Sequence, residues 1–116
     1  MPDRIEEITA KIREFRDERD WMQFHNPKDL ATALTIEAGE LLELFLWKSP
    51  GECAQIVDEK REAIEDEAAD IAVYLFEFAD NLGIDLIAAM ERKMAKNAAK
   101  YPVAKARGSN AKYSDL

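Results

Sequence analysis

The chain has 116 residues, enough for one hydrophobic core and too few for two, so a single domain over 1–116 is expected. Charged residues make up 34% and hydrophobic ones 47%, the proportions of a folded protein, and a net charge of -8 disfavours a general nucleic-acid binder, which needs a basic footprint. No apolar run reaches membrane-spanning length and the start, Met1-Pro2-Asp3-Arg4, lacks the pattern of a secretory leader, so a cytoplasmic protein without nucleic-acid or membrane partners is expected.

Ile5, Ile8, Ile12 and Phe15 give a first helix its apolar stripe, ending near Trp21, with a polar connection from Gln23 to Asn26. Asn26 suits an N-cap and Pro27 the first turn, where its missing N–H costs least, so a second helix runs to about Trp47. Lys48-Ser49-Pro50-Gly51 reads as the clearest break. A third helix begins between Cys53 and Lys60 and stops near Asn81, with Gly83 suited to a left-handed cap residue. Asp85 can cap a fourth helix, which carries Leu86, Ile87, Met90 and Met94 and ends before Tyr101-Pro102, leaving residues 101–116 as a tail. Without strand alternation or a Gly-rich phosphate loop, the pattern predicts an all-α four-helix bundle.

Acidic residues interrupt that pattern at one place. The stripe Leu30, Leu34, Leu41 and Leu44 has Glu37 where helical periodicity calls for an apolar side chain. Glu37 and Glu40 share a helix face at i, i+3, and Glu67 and Asp70 repeat that spacing beside the stripe Ile64, Ala68, Ile71, Leu75, Phe78 and Leu82. Four carboxylates brought together would repel one another unless a hard cation such as Mg²⁺ sat among them, taking oxygen ligands and leaving positions for phosphates. The competing reading is a solvated acidic face, which suffices for Glu43, Glu62, Glu65 and Asp66. Zinc is disfavoured in a chain with one His and one Cys, and the lone Cys53 has no internal disulfide partner.

Aromatic residues supply a second clue. Trp21, Phe24 and His25 cluster at the first break, Trp47 is expected on the Glu40 side of the second helix, and Tyr74 follows Asp70 by one turn. Rings beside a phosphate-holding metal are what a nucleotide site requires, although Trp and Tyr serve equally as core or interface residues and a lone His at a helix start often caps or packs.

The strings Glu37-Ala38-Gly39-Glu40-Leu41-Leu42-Glu43-Leu44, Trp47-Lys48, Glu67-Ala68-Ala69-Asp70-Ile71, and Lys93-Met94 with Asn97 before Tyr101-Pro102 resemble the MazG-like all-α nucleoside triphosphate pyrophosphohydrolases. Arg19-Asp20-Trp21, Phe24-His25-Asn26-Pro27 and Lys112-Tyr113 make the dCTP pyrophosphatase branch the most similar. The resemblance implies hydrolysis of a nucleoside triphosphate, dCTP or a modified dCTP, to monophosphate and pyrophosphate by an oligomeric helical bundle, a tetramer or dimer. It implies Glu37, Glu40, Glu67 and Asp70 as catalytic Mg²⁺ ligands, with Glu37 the choice for general base because its apolar surroundings favour the proton. Trp21, His25, Trp47 and Tyr74 would surround base and sugar, Lys93 and Asn97 would face phosphates, and Trp21 or His25 of one chain could reach a site on another.

Two other classes fit parts of the pattern. A di-iron carboxylate bundle also gathers glutamates, but it uses Glu-x-x-His motifs and neither acidic helix carries a histidine. A non-catalytic nucleotide-binding or dimerising module keeps the same residues without turnover. The apolar stripes on a chain this short also predict a homo-oligomer.

Overall fold

Six α-helices follow one another in the computed structural model, which describes residues 3–116: α1 (Arg4–Glu18), α2 (Pro27–Glu43), α3 (Pro50–Glu59), α4 (Arg61–Asn81), α5 (Leu86–Lys100) and the single turn α6 (Val103–Ala106). Short 3-10 turns occupy Met22–Phe24 and Tyr113–Asp115, and no strand occurs among the described residues. Caps chosen by the sequence set most helix starts. Asp3 accepts from the Ile5 amide, Asn26 from Asp29, and Asp85 from Ala88, each satisfying an N–H that a first turn leaves free.

Helix ends depart from the sequence expectation at three places. α1 stops at Glu18, not near Trp21, because Asp20 turns left-handed at φ 53 and the Trp21 amide reaches back to the Arg16 carbonyl. α2 stops at Glu43, not Trp47: from Leu44 onward the amides bond three residues back, which tightens the chain, and Trp47 takes φ 61. The third expected helix is two helices, so the bundle count of four does not describe the elements seen. Pro50-Gly51 opens α3 because Ser49 and Glu52 close a capping box around its first turn. Lys60, at φ -117 and ψ 34, then separates α3 from α4.

The chain divides into two compact units, the first ending at Gly83 and the second starting at Ile84. In the first, α4 is the central element: α2 packs along it, and α1 and α3 rest against it. Ile12, Leu30, Ile56 and Ala79 are its buried apolar residues. Arg13 of α1 grips Asp80 of α4 through two hydrogen bonds, Nε to Oδ2 at 2.7 Å and Nη2 to Oδ1 at 2.6 Å. Gly83 closes α4 at φ 67, as its sequence position predicts. In the second unit, α5 is followed by the tail, where Tyr101 and Tyr113 meet edge to face at 6.1 Å and Lys100 lies 4.8 Å from the Tyr113 ring. No helix is long and apolar enough to cross a membrane among the described residues.

Candidate active site

The packing of α2 on α4 turns the interrupted apolar stripe into a cluster. Glu37 occupies the inner face of α2 with the half-buried Leu34, Leu41 and Leu44, and meets Glu67 and Asp70 from α4, so that one carboxylate oxygen of each lies within 4.8 Å of the other two. Glu37 Oε2 and Glu67 Oε2 are buried with no hydrogen-bond partner. A buried carboxylate oxygen without a donor costs free energy, and two of them on residues of one acidic cluster suit a cation. The donor set is all oxygen, which fits Mg²⁺ rather than a softer metal.

Electrostatics describe the same cluster. Burial, hydrogen bonding with Glu67 and Glu40, and the charges of Glu40 and Asp70 push Glu37 up to about 7. Burial also raises Glu67, as do the charges of Glu40 and Asp70, while its hydrogen bond with Glu37 works the other way. Burial and the neighbouring negative charges thus favour the protonated form of Glu37. Glu40 is exposed and stands outside the triplet, close enough for its charge to act on both neighbours. The spacing argument thus brings three of four acids to one point and leaves the fourth at its rim.

Asp70 also lines a cavity of about 450 Å³, whose other walls include Lys11, Phe15, Trp21, His25 and Tyr74. Trp21 is braced there by Phe15, edge to face at 5.7 Å, and its ring centre lies 6.2 Å from that of His25. The Arg19 guanidinium covers the Phe15 ring at 3.7 Å. Tyr74 is half-buried, and burial followed by the charges of Glu37, Asp70, Glu77 and Glu40 raises its phenol, so the O–H stays a donor. A slot walled by aromatic rings thus adjoins the carboxylate cluster.

Trp47 is not part of this arrangement. It lies beyond the end of α2 with 91% of its surface exposed, so the expected alignment with Glu40 on one helix face is lost. Lys93, exposed, and Asn97, half-buried, stand on α5 in the second unit. Sequence reasoning missed Lys11, Arg16 and Glu77, which also line the cavity. A signal for Glu77 exists: Glu67, Asp70, Tyr74, Glu77 and Asn81 follow one another at steps of three and four, a polar row along α4 where the apolar stripe drew the eye.

The model of the MazG-like family matches residues 32–116. A dCTP pyrophosphatase 1 from Mus musculus is 45% identical over 115 residues, covering 97% of this chain and 67% of the mouse protein. The Homo sapiens dCTP pyrophosphatase 1 is 42% identical over 114 residues, with 97% and 67% covered. Among solved structures, a pyrophosphatase from Archaeoglobus fulgidus DSM 4304 superposes with a TM-score of 0.85 at 41% identity, covering 88% of this chain and 95% of the other.

Proposed function

The chain belongs to the MazG-like family, and from that premise we propose that it hydrolyses a pyrimidine deoxynucleoside triphosphate, dCTP or a modified dCTP, to the monophosphate and pyrophosphate, with Mg²⁺ as cofactor. That it is a nucleoside triphosphate pyrophosphohydrolase follows from the relatives; the base, the metal and the site residues are our reading. The observation that carries it is Asp70, which belongs both to the acid triplet and to the wall of the aromatic cavity. One residue common to both groupings supports reading them as a metal site beside a base site.

Glu37, Glu67 and Asp70 would hold the metal, with Glu40 at the rim positioned to join through its flexible side chain. When bound there, Mg²⁺ supplies charge neutralisation at the triphosphate and orientation of its phosphates. Glu37, set among the leucines on the inner face of α2, is our candidate for taking a proton from attacking water once metal binding has displaced its own. Trp21 offers a face for stacking and Tyr74 an O–H donor at the Asp70 end of the slot. We further infer a homo-oligomer acting on the cytosolic nucleotide pool, since Leu42, Leu46, Trp47 and Phe24 all leave most of their surface exposed.

Phosphate release from a nucleotide panel, assayed in Mg²⁺ with and without added inorganic pyrophosphatase, tests this. Release from dCTP that requires the added pyrophosphatase is the expected result. Saturable dCTP binding without release from any nucleotide would instead assign the chain to the non-catalytic binding class.

A further inference from the structure

A buried chain of hydrogen bonds runs behind the aromatic cavity. Arg16 Nη1 donates to Asn81 Oδ1 at 2.9 Å, and Asn81 Nδ2 donates to Glu77 Oε2 at 3.4 Å. His25 Nδ1 lies 2.7 Å from Glu77 Oε2 and 3.0 Å from Oε1. The side chains of Glu77 and His25 are only 4% and 18% exposed, so neither turns to solvent for a substitute partner.

The direction of this chain is fixed at its arginine end. A guanidinium has donors and no acceptor, so Asn81 must turn its oxygen to Arg16 and its NH₂ to Glu77. The Glu77 carboxylate then accepts from Asn81 on one side and has only acceptor capacity left for the imidazole. Nδ1 therefore carries a proton. Its polar capacity toward the cavity reduces to Nε2, which has no hydrogen-bond partner among the described residues, on a ring that lines that cavity.

We propose that Glu77 is a positioning residue that fixes the His25 ring with its Nδ1–H on the carboxylate, so that Nε2 offers a lone pair to the cavity and selects a base bearing an N–H donor, such as the 4-amino group of cytosine, over one presenting a carbonyl there. The selection rests on the substrate reading above; the tautomer does not. An acceptor facing a carbonyl leaves two lone pairs opposed and unpaired, which discriminates more sharply than a difference in apolar fit. Glu77 itself need not touch the substrate.

His25 is the only histidine in the chain, so a ¹⁵N-imidazole NMR spectrum reports this ring without overlap. At pH 8 the wild type is expected to show a protonated Nδ1 and an unprotonated Nε2. A spectrum with Nε2 protonated, whether as the neutral Nε2–H form or as imidazolium, overturns the assignment. Glu77→Met keeps length and helix propensity but removes the acceptor, so it should release the ring to the Nε2–H form and lower the kcat/KM ratio of dCTP over dUTP about tenfold. Unchanged tautomer and ratio in a folded Glu77→Met protein would equally overturn it. The wild-type spectrum needs no substrate and no variant, so absent turnover would count against the reaction while the spectrum still decides the tautomer.

Discussion

Asp70 stands where the acid triplet meets the aromatic cavity, which makes it the residue whose loss should damage both. Asp70→Asn keeps the shape and removes a charge, and should lower kcat/KM by about 100-fold or more while leaving the helices intact. Glu43→Gln, on an exposed side chain of the same α2, should change it less than about twofold. Steady-state kinetics on the two variants checks both statements. Glu37 gives a pH dependence that needs no substrate. In the folded, metal-free protein it keeps its proton to about 7, whereas its ordinary value is 4.5, so between those limits the folded state binds more protons than the unfolded chain. The stability associated with that proton is present below 4.5 and is lost as pH rises through 7. Thermal melts without metal should therefore show Tm falling from about pH 5 to about pH 8, and Glu37→Gln or saturating Mg²⁺ should flatten the slope. Glu37 was legible because it broke a stripe of leucines. Glu77 was not, because a carboxylate in an acidic chain gives no sign in sequence that Asn81 and His25 will converge on it from four and fifty-two positions away.

At the scale of elements, local chemistry governed the starts of helices more firmly than their ends. Asn26 and Asp85 cap where their side chains can accept an early amide, and Gly83 takes the left-handed turn, all readable from single residues. Pro50-Gly51 misled because both are breakers in isolation, yet Pro is well placed in a first turn and Ser49 with Glu52 completes the box. The end of α2 was hidden because Leu44, Phe45 and Leu46 are all compatible with helix, and only the switch to bonds three residues back ends it. Two substitutions measure these local terms. Ser49→Ala should cost about 1 kcal/mol in denaturant unfolding. Gly83→Ala should cost about 1 kcal/mol as well, and entirely through the backbone, because a Cβ there meets nothing within 4 Å while φ is 67.

For the molecule as a whole, apolar side chains outnumber the places to hide them. Only Ile12, Leu30, Ile56 and Ala79 are buried among the hydrophobic residues described, while Leu42 is 69% exposed. Such surface predicts self-association, and sedimentation at micromolar concentration should give a dimer or larger species that Leu42→Lys weakens. A monomeric wild type would refute that expectation. Trp21 and His25, which could also reach a site on another chain, line the cavity with Asp70 of their own chain. The all-helical class and the acid pairs were legible in sequence because period and spacing carry them; the cavity was not, since its walls come from α1, the first turn and α4, distant in sequence. The central claim is that this site cleaves between the α and β phosphates. Chromatographic identification of the products formed from dCTP and Mg²⁺ tests it most directly: dCMP and pyrophosphate in equal amounts are predicted, and dCDP with orthophosphate as the main products would contradict it.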